Sequence, residues 1–388
     1  MFRHNWSLPI VERLAYLTHI GDPSRGGREQ RIRLRQRPRR ILEYRPLGHD
    51  LLGPPSLRQR ILGAIRAGQG KSHAIPIWTD RDRLETAISA GATSIALDTT
   101  TKDYDAGGMA VLWASVAQWE IVDVVSVGPS ALTISATTAA WPVGTSIMPV
   151  RRAILNPETS YALMPAETDA GAQLEVVFEV EADDVSTNRV TPYSSPFIYN
   201  SEVVYVQPRE ATDDARHEIT RATRRYDAGG KFAYNDLAQT TPTEVHDWAY
   251  VFMSRQEISQ FWGFLNSVGG AQRAFWMPSH NRDFRFTGGT NIERFDYATN
   301  YFPLGTLYRR IATRLTNGMW SSTVREITAA SIVDAATETL TLSGGLPGPA
   351  ERYSFFWRER LNSDEVEVSW ATTTHATARV NLRRLGTL

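Results

Sequence analysis

Hydrophobic positions along this chain fall into short runs of period two far more often than into helical stripes. Glu120-Ile121-Val122-Asp123-Val124-Val125-Ser126-Val127 is β-branched and ends at Gly128-Pro129. Leu132-Thr133-Ile134-Ser135 follows after a tight turn, which predicts a hairpin. Val324 to Ile332 and Glu338 to Ser343 predict a second hairpin of the same kind. Val366-Glu367-Val368-Ser369-Trp370 and Ala378-Arg379-Val380-Asn381-Leu382 alternate cleanly and predict closing strands. The period changes at Ser254. That residue and Glu257 form a capping box, Ile258, Phe261, Trp262 and Leu265 make one apolar stripe, and Gly269-Gly270 stops the run. A weaker helix is predicted over 56–67, with Ser56 as cap, Leu57, Ile61 and Ile65 as stripe and Gly68 as stop.

These landmarks recur in order. Gly26-Gly27, the strand-like Ile41-Leu42-Glu43-Tyr44, the helix 56–67, Ile75-Pro76-Ile77-Trp78 and Asp82 lead to Leu132–Ser135 and Arg151–Leu155. In the second half Gly229-Gly230, Trp248–Phe252, the helix 254–268, Phe275-Trp276-Met277-Pro278 and Asp283 lead to Leu340–Ser343 and Trp357–Leu361. An ordered series of this kind points to an internal duplication. The expected fold is therefore mainly β with a helix per module: two tandem, related barrel-like or sandwich-like modules, the helix covering an open end or face of each. The expected boundaries are 1–155 for the first module, 156–215 for an acidic connector with strands, and 216–388 for the second module.

Composition sharpens this picture in two places. The chain of 388 residues has no Cys, which excludes disulfides, thiolate metal sites and a Cys nucleophile. The 42 basic and 42 acidic residues cancel, but not locally. Residues 1–66 carry a balance of +9 and residues 156–215 a balance of −10, which fits either two solvated faces of opposite sign or a meeting of the two segments within a chain or between copies. Met1 to Leu14 lacks the apolar stretch of a signal peptide, and no run is long and apolar enough for a membrane helix.

Candidate chemistry is sparse. Gly68-Gln69-Gly70-Lys71-Ser72 resembles part of a phosphate-binding loop but lacks its first Gly and follows a helix instead of a strand. The eight His are scattered with no helical pairing, and the Asp80, Asp82, Glu85 cluster lacks the Gly and spacing of a calcium loop. Asp364, Glu365 and Glu367 could be written as hydrolytic carboxylates, but Glu365 and Glu367 alternate with Val366 and Val368 as the solvent face of a strand. No catalytic, cofactor or metal residue is assigned, and the chain is read as a non-enzyme.

Arg31, Arg33, Arg35 and Arg37 lie at period two with Ile32 and Leu34 between them. As a strand this predicts a guanidinium face, which calls for an anionic partner. Carboxylates of the connector (Glu175, Glu179, Glu181, Asp183 and Asp184) are the expected partners, ahead of nucleic-acid phosphate, because stacking aromatics are missing here. Trp78, Trp113, Trp119, Trp248, Trp262, Trp276 and Trp357 are expected in the module cores.

At this point the residues resemble a known family. Arg255 to Asp283, with Phe264-Leu265, Gly269-Gly270 and Ala274-Phe275-Trp276-Met277-Pro278, is similar to the minor tail proteins of long, non-contractile-tailed bacteriophages. These form the tail tip or baseplate beside the distal tail protein. So do Trp6, Tyr16–Ile20, Gly27–Arg35, Pro38-Arg39, Ile75–Trp78 and Arg360–Trp370 resemble parts of such proteins. The resemblance implies a virion structural protein, assembled in the host cytoplasm and placed at the tail tip. Its expected partners are the tail tube protein, the hub, other baseplate proteins and copies of itself. The expected ring is a hexamer, with a trimer of pseudo-six-fold symmetry close behind; no cofactor, membrane or specific nucleic-acid binding is implied. The competing readings are a carbohydrate-binding module for host surface glycans and a glycan hydrolase.

Overall fold

The first strand of the chain, Ile10–Ala15, lies between two partners far apart in sequence: Arg39–Tyr44 on one edge and Glu365–Trp370 on the other. Its burial pattern is nearly continuous, as a strand flanked on both edges and covered on both faces requires. The computed structural model describes His4 and residues 6–21, 29–45, 63, 66–115, 117–156, 161–162, 173–181, 193–210, 216–220, 223–227, 233–237, 243–294, 310–332, 338–348 and 350–385. The fold is mainly β, and among the described residues 21 strands belong to one network of antiparallel pairings.

Among the described residues no closed barrel forms. One edge of Ile10–Ala15 pairs with Arg39–Tyr44, and the other, which closure within the first half would need, is used to join that half to the second. The strand Val176–Val180 lies in the range read as a connector, yet it pairs with Ser146–Leu155 on one side and Arg39–Tyr44 on the other. The line Ser146–Leu155, Val176–Val180, Arg39–Tyr44, Ile10–Ala15, Glu365–Trp370, Ala376–Arg384, Thr243–Phe252 thus runs unbroken across both halves.

The pairing diagram of the first half recurs in the second. Ser146–Leu155 holds Ser72–Pro76 and Met109–Trp113, as Ala350–Leu361 holds Phe275–Pro278 and Arg310–Leu315. Trp119–Gly128 pairs with Ala131–Ile134, and Arg325–Ile332 with Glu338–Leu342, the two hairpins expected from the pattern. The agreement reaches single bonds. Asp123 N donates to Ser135 Oγ at 3.0 Å, and Glu326 N to Ser343 Oγ at 3.1 Å. Ile134 N donates to Thr93 O, and Leu342 N to Thr290 O, both at 2.9 Å.

Helix α1, Arg255–Val268, is placed by its own ends. Ser254 accepts from Glu257 N, Glu257 accepts from Met253 N at 2.8 Å, and Gly269 closes the helix in the left-handed conformation at φ 65°. Ile258, Phe261, Trp262 and Leu265 are buried as their spacing predicts, and Phe264 and Val268 widen the stripe. The helix expected over 56–67 lies mostly outside the described residues, though Gly63 and Arg66 to Gly68 are helical.

The main core takes residues from both halves, among them Ile10, Leu42, Trp78, Phe261, Val368 and Leu382. Each half adds a smaller cluster under its hairpin, around Leu112, Val122 and Leu132 in the first and around Ile311, Ile327 and Leu340 in the second. Of the tryptophans expected inside, Trp119 is exposed, and Trp357 is partly buried against two of these clusters. Trp119 opens its strand on the face opposite Val122 and Val124, so alternation turns it outward.

His280 adopts φ 61°, with its ring edge-on to Trp320 at 5.5 Å and to Trp248 at 6.3 Å. Burial, then Arg352, Arg314 and Arg209, lower its pKa from 6.5 to about 3. Between those values the unfolded chain binds a proton that the folded chain refuses, so this contribution is full above pH 6.5 and shrinks as the pH falls. His280→Asn, which tolerates the positive φ, is expected to lose less stability than the parent on acidification through that window, read from urea midpoints. Phe261→Ala is expected to cost about 3–5 kcal/mol by the same measurement, because the ring is fully enclosed.

Candidate assembly interface

The arginine series forms part of a hairpin, but with its faces reversed. Arg31–Arg33 pairs with Thr18–Ile20, and the hairpin is prolonged by Leu34 N donating to Leu17 O at 2.8 Å. Arg31, Arg33 and Arg35 turn toward the protein, while Ile32 and Leu34 are 47% and 60% exposed. The guanidinium groups find partners in their own chain. Arg33 Nε donates to Arg35 O at 2.7 Å, and Arg35 Nη1 to Ala15 O at 3.0 Å. Burial and the neighbouring Arg360 hold the Arg31 guanidinium below its ordinary value, against the pull of Glu29. Glu29 is itself shared by Arg360 and Arg383, each at 2.9 Å. Arg37 is exposed. The outward face of the hairpin thus carries Ile32 and Leu34 beside His19, and only Arg37 of the series points to solvent.

The basic and acidic segments do meet within the chain, through other arginines. Arg39 pairs with Glu179 at 3.0 Å and Arg45 with Glu175 at 3.4 Å. Both bridges follow from the pairing of Arg39–Tyr44 with Val176–Val180. Their partial exposure makes each worth little, about 0–1 kcal/mol. Glu181 donates its backbone N–H to Arg152 O at 3.0 Å. Asp183 and Asp184 lie outside the described residues.

The strongest electrostatics are buried at the seam between the halves. Arg40, only 4% exposed, bonds Glu12 Oε1 at 2.5 Å and also reaches Asp103. Arg151 meets Asp103 at 3.1 Å, and the Trp370 indole donates to Glu12 Oε2 at 2.9 Å from the other half. Burial alone would lower the pKa of Arg40; Glu12 and Asp103 outweigh it and raise the value. Arg255, at the start of α1, crosses the seam in the opposite direction. It bonds Asp80 Oδ1 and Thr101 O at 2.7 Å each and sits 5.0 Å above the Trp370 ring. A second clamp is Asp364, which accepts from the Thr18 hydroxyl and from Ala271 N at 2.9 Å each. Gly270 makes that approach possible, since a Cβ there would lie 2.5 Å from Asp364 Oδ1 and 2.6 Å from Tyr16 Cβ.

Each of the carboxylates weighed for hydrolysis has a partner within the protein. Asp364 is the clamp just described, and Glu365 and Glu367 lie 3.6 and 3.8 Å from Arg13. The loop Gly68–Ser72 runs from a helix end into the strand Ser72–Pro76, the reverse of a phosphate-binding loop. Among the described residues no group of His, Asp and Glu could hold a metal ion, and no helix is long and apolar enough to cross a membrane.

The chain matches no protein-family model and no curated protein.

Sequence reasoning missed the seam network. Its signal is a charge in phase with apolar residues, as Glu12 alternates with Ile10 and Leu14 and Arg40 with Leu42 and Tyr44. Arg40→Met is expected to destabilise by about 3–5 kcal/mol, because two buried carboxylates lose their shared cation. Glu365→Gln, at a half-exposed pair, is expected to stay within about 0.5 kcal/mol. Chemical denaturation of both variants checks the contrast.

Proposed function

We propose that this protein is a structural ring component of the tail tip of a long, non-contractile-tailed bacteriophage, with no catalytic activity of its own. The observation that carries the reading, beside the resemblance, is the lateral joining of two halves that share much of their strand pairing through Ile10–Ala15 and Glu365–Trp370. Side-by-side strand pairing of like units is how a chain extends a ring wall, and the recurrence supports descent from a duplicated module. The interior charges support it as well, since Glu12, Arg40, Asp80, Asp103, Arg151 and Arg255 tie strands together instead of lining a cleft. The partners of such a ring are the end of the tail tube on one side and hub or other baseplate proteins on the other. The exposed Ile32 and Leu34 offer an apolar contact to one of these layers.

In this reading the purified chain forms a closed oligomer of discrete mass, visible by native mass spectrometry and as rings in negative stain. A chain that stays monomeric up to about 100 µM, roughly 5–6 kcal/mol of association free energy, would remove the ring from the proposal.

A further inference from the structure

Ile10–Ala15 has a counterpart in the second half. Arg216–Thr220 precedes and pairs with Thr243–Phe252, as Ile10–Ala15 precedes and pairs with Arg39–Tyr44. Each is followed by a hairpin: Thr18–Ile20 with Arg31–Arg33, and Thr223–Asp227 with Ala233–Leu237. Leu42 pairs with Phe178, which pairs with Leu155; His246 pairs with Leu382, which pairs with Leu361. That register places Glu12 opposite Leu42 in the position of His217 opposite His246, and Leu14 in the position of Ile219.

The two strands differ in their second edge. Glu365–Trp370 covers that edge of Ile10–Ala15, and Leu14, beside Val366, is 7% exposed. Among the described residues no strand pairs with the second edge of Arg216–Thr220, and Ile219 is 58% exposed. Glu365–Trp370 has a counterpart too. It pairs with the start of Ala376–Arg384, as Tyr161–Ala162 pairs with Gln173–Leu174 ahead of Val176–Val180. The link is marked in both halves by one bond: Asn156 N donates to Val177 O at 2.9 Å, and Asn362 N to Asn381 O at 2.8 Å.

We infer that the second edge of Arg216–Thr220 is a docking site for a second copy of this chain, which adds its Tyr161–Ala162 strand there in antiparallel register. The contact would repeat between chains what Ile10–Ala15 and Glu365–Trp370 make within one. The translated register sets Arg216 opposite Ala162 and His217 opposite Tyr161, as Val11 is opposite Ser369 and Glu12 opposite Val368. Charge agrees with the match. Residues 216–225 hold Arg216, Arg221, Arg224 and Arg225 against Glu218, whereas residues 157–175 hold Glu158, Glu167, Asp169 and Glu175 and no Lys or Arg. Strand addition supplies affinity through backbone bonds and removes an exposed edge. The contact is head-to-tail, so it propagates into a closed ring or a filament. Both halves of each chain would then stand in one ring, which favours the pseudo-six-fold trimer over concentric layers of a hexamer. The choice of a second copy as occupant rests on the ring reading above.

The absence of native cysteine allows a direct test. A protein carrying Arg216→Cys is mixed with one carrying Ala162→Cys under mild oxidation, with Arg216→Cys mixed with Leu34→Cys as the control pair. A disulfide-linked heterodimer from the first pair, at least tenfold above the control, is expected. Ile219→Lys, at an exposed position that leaves the monomer folded, is expected to weaken self-association at least tenfold in sedimentation. If the chain forms a discrete oligomer but the first pair links no better than the control and Ile219→Lys assembles like the parent, the edge assignment is overturned while the ring reading stands. If no self-association occurs at any concentration tested, both fall.

Discussion

Everything else in this structure depends on a guanidinium taken out of water. Arg40 lies almost wholly inside, between Glu12 and Asp103, and Glu12 in turn holds the indole of Trp370. Such a group is tolerable only if each of its partners is fixed. The strand register that places Arg40 opposite Leu14 also brings Glu12 opposite Leu42 on one side and Val368 on the other. One buried cation thereby sets the relation of three strands that meet from the beginning and the end of the chain. The hydrophobic cluster around them contributes most of the stabilisation, and the ion network raises the cost of a wrong register, because a one-residue shift would turn Glu12 and Arg40 to the other face along with Ile10, Leu14 and Leu42.

The second half returns the constraint. Arg255 at the start of α1 reaches Asp80 and the carbonyl of Thr101, and Asp80 accepts Asp103 N at 2.7 Å. Helix position, the Asp80 turn and the Arg40 network are therefore linked through shared carboxylates. Asp364 and Gly270 lock the same seam one layer further out. This is an economical use of charge in a neutral protein. The deeply buried ion pairs tie distant segments together, within a half (Arg40 with Glu12, Arg384 with Glu244) or across the halves (Arg255 with Asp80, Arg360 with Glu29), and the half-exposed pairs, such as Arg39 with Glu179, decorate strands already aligned by backbone bonds.

Local pattern made much of the fold legible. The hairpin of Trp119–Gly128 and Ala131–Ile134, helix α1 with its cap and stop, and the closing strands all follow from periodicity and turn residues near in sequence. The long-range pairing was not legible. Nothing in Ile10–Ala15 or Glu365–Trp370 alone says that they lie side by side, and a barrel within each half satisfies the same alternation. The arginine series misled for a related reason. Alternation separates two faces but does not say which faces the protein. Long arginine stems reach backbone carbonyls inward, and Ile32 and Leu34 stay exposed. Of the nominated carboxylates, Glu175 and Glu179 do meet arginines, but Arg45 and Arg39 instead of the alternating series.

A sheet that runs across two like halves has a consequence for assembly that a pair of barrels would not. Barrels remove their edges and then must associate through side chains; an open sheet keeps edges, and an exposed edge is a hazard unless something covers it. In this chain the first half's edge is covered from within, by a strand delivered from the far end of the sequence. Among the described residues no strand does the same for Arg216–Thr220. A self-complementary edge would pair two copies and stop, whereas an edge whose complement lies on the other half carries the contact onward. If Arg216–Thr220 takes its second partner from a neighbouring copy, as proposed above, each contact presents the same edge again one copy further on, and lateral repetition follows from the strand order alone.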